Sequence, residues 1–432
     1  MTEHTSRVSS LLPYRASFGM FRDPAAQMLT VDVLAVLVAL ALPWSTSGVA
    51  IFMVLWVLAL IPTLAWSSAL RSLRQPAAML PLIFFALAVV GTTWSASPWP
   101  ARLHGINPVA KLLAIPFLLY HFERSQRAAW IFVAFLVSCS LLMGLSWLVL
   151  FAPEFKVTVT ASPGVPVKNY IDQSQEFALC FFALAPVALS LLNRRRFALA
   201  AACAALMLGF FTNMMFVVSA RTALVYMPIL LVLFGALHLS RGAMALLFAG
   251  AMAVVVLVWI TSPYLRERVD AVELEYQYYH EKNAASSTGL RLEYWRKSLH
   301  FFADAPLFGN GTGSTKQLFE RDAIGQSGAS ADVIGNPHNQ TLNVAVQWGL
   351  LGCVVLYAMW FFHFMLFQGT SLSSWIGLLV VLQNIMSSLF NSHLFDFHEG
   401  WMYVLGVGVA GGMAMKSASS DAPLFRRKSV KA

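Results

Sequence analysis

The residues best placed to do chemistry lie in "GNPHNQTLNVAVQWGLLG", Gly335 to Gly352, where His338 stands between an Asn-Pro pair and a membrane-length apolar run. Asn336 is a favourable helix N-cap and Pro337 suits a first helical position, so a helix is predicted to begin here with His338 in its first turn. There the positive end of the helix dipole disfavours imidazolium and keeps the ring able to accept a proton. The same free backbone N–H groups favour an anionic ligand. An interfacial histidine without chemistry is the competing reading.

Two arginines could meet such an anion. Arg221 sits in "VVSARTALV" between two apolar runs, and Arg291 opens "GLRLEYWRKSLHFFADAPLFGNGTGS". Guanidinium forks match phosphate oxygens. Each has a plainer alternative: Arg221 can snorkel to lipid headgroups, and Arg291 can be a solvated loop residue. Gly309, Gly311 and Gly313 lack both the strand–GxGxxG–helix context and a GK[ST] ending, which excludes a nucleotide loop and leaves a tight turn. "NSHLFDFHEGW" holds His393, Asp396, His398 and Glu399. Its spacing fits no standard zinc pattern, so no metal is expected, and Asp396 is available to pair with an arginine.

The elements that must position these residues are membrane helices. Of 432 residues, 58% are hydrophobic and 11% charged, against roughly 25% charged in an average soluble domain. The apolar residues come in blocks of about 17–25, the length that crosses a hydrocarbon layer. The expected fold is an all-α polytopic membrane protein with about twelve transmembrane helices. The segments are 28–45, 49–66, 78–94, 107–122, 128–152, 173–192, 196–219, 222–239, 243–264, 338–366, 371–390 and 401–417. Cys139, Cys180, Cys203 and Cys353 fall inside them with no CxxC spacing and suggest neither disulfide nor metal.

Charge sets the orientation. With the N-terminus inside, the cytoplasmic side collects Arg7, Arg15, Arg22, Arg71, Arg74, Arg124, Arg127, Arg194, Arg195, Arg196, Arg241 and the tail "FRRKSVKA". The opposite loops hold little beyond Arg102, Lys156, Lys168 and Arg221, as the positive-inside rule requires. The net charge of +9 is therefore read as cytoplasmic bias, with no nucleic-acid partner. The polar start lacks a signal-peptide core and cleavage site, so the first span is expected to remain as an anchor. The organisation that follows is a cytoplasmic N-terminal tail at 1–27, nine spans over 28–264 and a large outer loop at 265–337. Three spans over 338–417 and a basic cytoplasmic tail at 418–432 complete it. The large loop contains helix-like stretches and reads as a folded cap, since a structureless loop of that length is unusual.

His338-Asn339, nine residues, then Gly349-Leu-Leu-Gly352 resembles the HN-x9-GxxG signature of bacterial O-antigen ligases. These belong with the O-antigen polymerases and protein O-oligosaccharyltransferases. "SARTALV" and the Arg291 segment with its glycine turn resemble other parts of that family. The resemblance implies a GT-C type glycosyltransferase of the bacterial inner membrane, both termini cytoplasmic, with its active site on the periplasmic face. It implies an undecaprenyl-pyrophosphate-linked glycan as donor, a sugar hydroxyl of lipid A–core oligosaccharide as acceptor, and no metal, nucleotide or other cofactor. In that chemistry Arg221 and Arg291 would stabilise the pyrophosphate and His338 would take the acceptor proton. A polymerase, a protein O-oligosaccharyltransferase and, from another class, a transporter of lipid-linked glycans are the alternatives. The last is disfavoured by candidate polar residues gathered at one face and by the lack of a pair of broken helices.

Overall fold

The computed structural model describes residues 23–160, 162–218 and 222–420. Arg7, Arg15, Arg22, the basic tail beyond residue 420 and Arg221 lie outside the described residues. Among those described, the regular structure is entirely helical.

The chain begins with α1 (Pro24–Ala41), α2 (Thr46–Leu60), α3 (Trp66–Ser72), α4 (Pro76–Val90), α5 (Trp99–Ala110), α6 (Ala114–Phe122) and α7 (Ala129–Phe151). It continues with α8 (Tyr170–Asn193), α9 (Phe197–Phe216), α10 (Ala223–His238) and α11 (Arg241–Thr261). The hydrophilic stretch then forms α12 (Pro263–Lys282), α13 (Ser287–Asp304) and α14 (Thr315–Asp322), and α15 (Gln340–Leu366), α16 (Leu372–Ser387) and α17 (Phe397–Ser420) follow. Short polar residues start many of them: Asp23, Ser45, Asn169, Ser286, Asn339 and Ser371 each accept a hydrogen bond from a first-turn N–H, which satisfies a donor with no intrahelical partner.

Each of the twelve expected segments falls on a helix. By length and hydropathy, eight described stretches could cross a membrane: α1, α2, α5 with α6, α7, α8, α9, α11 and α15. A ninth would be the pair α3–α4, bent by 85°. Helices α10 and α16 are apolar but shorter, and α17 is not among the eight. Pairwise packing of α8 on α9, α6 on α17, α1 on α2 and α7, and α4 on α15 builds one extended apolar core. Helix α13 packs on both α12 and α15, which brings the hydrophilic stretch down onto the helix that follows His338.

The helices are interrupted at two places. One is the α3–α4 bend, which falls between two expected segments. The other is Gly349, where α15 takes φ 61° and ψ −153°, a backbone region open essentially to glycine alone. A break frees backbone groups that an apolar environment cannot hydrate. The glycine turn after α13 satisfies them. Asn310 and Gly311 N–H groups donate to the Val346 and Gln347 carbonyls at 2.9 and 2.8 Å, and Leu350 N–H donates to Pro306 O at 2.8 Å. Gly309, Gly311 and Gly313 all have positive φ, so the expected tight turn is present, seated in the break of α15.

Candidate active site

His338 does not lie in the first turn of α15. That helix starts at Gln340, and its N-cap is Asn339, whose Oδ1 accepts from Leu342 N–H at 3.0 Å. The expected cap at Asn336 fails because His338 has φ +52°, a left-handed conformation outside the helical range. Asn336 serves another purpose: its Oδ1 accepts the His338 backbone N–H at 3.0 Å and the Ser392 hydroxyl at 2.6 Å.

The segment between α16 and α17 wraps this turn. Asn339 Nδ2 donates to Leu389 O at 3.0 Å, Gln340 N–H to Ser388 O at 2.9 Å, and Leu394 N–H to Gln340 Oε1 at 3.1 Å. Asn343 Nδ2 reaches the Ser392 hydroxyl at 3.1 Å. The result fixes the half-buried His338 ring. Its Nδ1–H donates to Asn391 Oδ1 at 2.7 Å, and the neutral ring then carries its lone pair on Nε2. Tyr294 of α13 lies beside the imidazole with ring centroids 5.9 Å apart. Burial holds the His338 pKa below the usual histidine range; the Asn391 hydrogen bond opposes this and the positive charge of Arg291 adds to it. The packing of α13 on α15 thus brings Arg291 within electrostatic reach of His338. Arg221 lies outside the described residues.

The four residues of "NSHLFDFHEGW" take separate parts. His393 is fully buried, receives Gln175 Nε2 on its Nδ1 at 3.0 Å and is pushed down to about 3, chiefly by burial. Such a histidine stays neutral and structural. Among the described residues the cationic neighbour of Asp396 is Lys111, whose Nζ donates to the carbonyl oxygens of Phe395, at 2.9 Å, and of Asp396 itself. Burial raises the Asp396 carboxyl to about 7, against the pull of Lys111. His398 Nδ1 pairs with Asp172 Oδ2 at 2.8 Å. Among the described residues no group of three or more His, Cys, Asp or Glu side chains is arranged to hold a metal ion. The four cysteines are free.

Two spaces adjoin this region. A polar cavity of about 340 Å³ lies between the start of α8 and the α16–α17 connection, and Asn391, the residue that holds His338, is part of its wall. An apolar groove of about 290 Å³ runs between α1, α7, α8, α16 and α17. A narrow gap shares Leu179, Val380 and Met402 with the groove and Glu399 with the polar cavity, so groove, gap and cavity follow one another.

The sequence reading did not single out Asn391 or Asp172. Asn391 stands in the quoted α16–α17 segment, but an asparagine in a polar loop has no signature of its own. Asp172 opens an apolar helix as part of "DQSQE", and a run of polar residues at a span's start was the available signal.

Residues 204–357 match the family model described as O-antigen ligase, a stretch that contains Arg221, Arg291, His338, Gly349 and Gly352. No curated protein matches the chain.

Proposed function

We propose, from the membership of the O-antigen ligase family that this match supports, that the protein transfers a glycan from undecaprenyl pyrophosphate to a sugar hydroxyl of lipid A–core oligosaccharide. The observation that carries the reading is the orientation of His338. With Nδ1–H given to Asn391, Nε2 is the basic nitrogen, and it accepts the acceptor's hydroxyl proton as the oxygen attacks the anomeric carbon. The new C–O bond forms opposite the breaking bond to pyrophosphate, which inverts the anomeric centre. Undecaprenyl pyrophosphate departs with the electron pair, and the proton passes from His338 to solvent. Arg291, and Arg221 by family resemblance, stabilise the charge that grows on the departing phosphate.

Support also comes from the apolar groove, whose lining suits an acyl or polyprenyl chain. The charge distribution supports a bacterial inner-membrane protein of about twelve spans, GT-C in type, with both termini cytoplasmic and His338 at the periplasmic face. Transfer onto another lipid-linked repeat would make the protein a polymerase; transfer onto a Ser or Thr would make it a protein O-oligosaccharyltransferase.

The deciding experiment uses purified protein, lipid-linked glycan and lipid A–core, with chelator and without nucleotide. A gel shift of the core lipid by wild type, lost in His338→Ala, Arg221→Ala and Arg291→Ala variants that remain folded, is the expected result. Extension of the lipid-linked glycan alone would assign the polymerase activity. No product of either kind, with vesicle assays showing movement of intact lipid-linked glycan, would assign transport.

A further inference from the structure

The polar cavity is not used by the proton transfer just described, and its chemistry differs from that of an anion site. Among the described residues, Lys168, Asp172, Asp396 and Glu399 bring three carboxyl groups and one ammonium to its wall, and Lys168 Nζ gives one of its N–H groups to Leu42 O. Among the described residues, a pyrophosphate placed here would meet more carboxyl groups than ammonium groups. Sugar hydroxyls would instead find partners in the carboxyl groups, the amides of Asn169 and Asn391, and the ring of Phe397, the usual partners of a neutral polyol.

One side chain points to a missing partner. His398 gives Nδ1–H to Asp172 Oδ2 at 2.8 Å, and Asp172 Oδ2 also accepts Asn169 Nδ2 at 2.9 Å. The His398 and Asp172 side chains are only 9% and 7% exposed. Yet among the described residues His398 Nε2 is buried with no hydrogen-bond partner, although His398 lines the cavity. A buried acceptor left unmatched destabilises the fold, and native proteins seldom leave one without cause. Asp172 fixes the tautomer that keeps Nε2 a lone-pair acceptor, ready for a ligand O–H. The volume is within the roughly 300–1,000 Å³ of small-molecule sites.

We infer that this cavity is a sugar-binding subsite, in which the Asp172-oriented His398 accepts a hydrogen bond from a hydroxyl of a neutral pyranose seated beside Asn391, the residue that holds His338. The inference rests on the glycosyl-transfer reading. The sugar can belong to the acceptor core or be the first residue of the donor glycan. His398 and Asp172 bind and orient it and take no part in bond making.

The test measures KM for each substrate separately with His398→Ala and Asp172→Asn in the full-length protein. The expected result is a rise of about tenfold in KM for one substrate, the worth of one hydrogen bond to a buried group, with kcat little changed. A rise for lipid A–core assigns the acceptor sugar, and a rise for the lipid-linked glycan assigns the donor sugar. Unchanged KM values for both would overturn the inference. So would a weakening of inhibition by inorganic pyrophosphate, which would make the cavity an anion site. Because either variant could misfold, Ile171→Cys, at the cavity wall, gives a second readout that needs no turnover. Lipid-free core oligosaccharide or lipid-free donor glycan should slow its modification by a maleimide. Protection by pyrophosphate but by neither glycan would again sink the idea. Protection by glycan in a protein that transfers nothing would keep the sugar site and remove the ligase reading instead.

Discussion

Asn391 Oδ1 accepts the Nδ1–H of His338 at 2.7 Å, and that bond decides which ring nitrogen is basic. Asn391→Leu removes the acceptor while keeping side-chain volume. Transfer should fall by roughly tenfold, the equivalent of about 1.4 kcal/mol. His338→Ala, which removes the base itself, should cost about 10²–10⁴-fold. Steady-state kinetics on both variants checks the order. Equal losses would mean that Asn391 does more than orient the ring.

The pH dependence carries a second prediction. His338 must be neutral to accept a proton, and burial together with Arg291 lowers its pKa from the usual 6.5. Activity should therefore be flat at neutral pH and fall on an acid limb below 6.5. Replacing Arg291 by Gln deletes a positive charge that disfavours imidazolium, so the acid limb of the residual activity should move to higher pH. A limb that stays in place or moves lower would show that Arg291 does not act on His338.

Gly349 and Gly309 provide a stability test. Both have positive φ, 61° and 66°, and a Cβ on either would come within 2.5 Å of the partner segment's backbone. Gly349→Ala and Gly309→Ala should each destabilise by more than the ~1–2 kcal/mol of the left-handed backbone alone. Their effects should not add, because each breaks the same junction. Gly144→Ala is the control: it lies within α7 with open space around it and should be neutral or stabilising by about 1 kcal/mol. Thermal unfolding in detergent measures the three single variants and the Gly309→Ala/Gly349→Ala double variant.

Lys111 is the fourth test. Its Nζ caps the carbonyls of Phe395 and Asp396, and Lys111→Met would leave both without that donor, at about 1–3 kcal/mol each. Lower thermal stability together with lost transfer is expected, since the α16–α17 connection also carries Asn391. Full activity would show that this clamp is dispensable.

Much of the helical layout was legible because membrane-length apolar runs are a strong signal, and the expected segments all fall on helices. His338 was found through its motif, but its conformation was not. Asn336-Pro337 has the composition of a helix start, and only the tertiary bonds from Asn336 Oδ1 to His338 N–H and the Ser392 hydroxyl show why the helix waits until Gln340. Asn391 and Asp172 act across more than 50 and 200 residues of chain, on His338 and His398, and no local pattern encodes such partners. The break at Gly349 was hidden for a related reason: its compensation comes from a glycine turn some forty residues earlier.

That last pairing constrains how such chains can be recombined. The turn at 306–313 and the helix break at 346–351 exchange backbone hydrogen bonds, so each is the template for the other. A chimera that imports the stretch between α11 and α15 from a relative, but retains its own α15, would set a foreign turn against a break of different register. The resulting mismatch would fall on main-chain groups, where no side-chain substitution could repair it. Domain exchange should therefore succeed only when the junctions are drawn outside both segments, moving 263–352 as a single cassette.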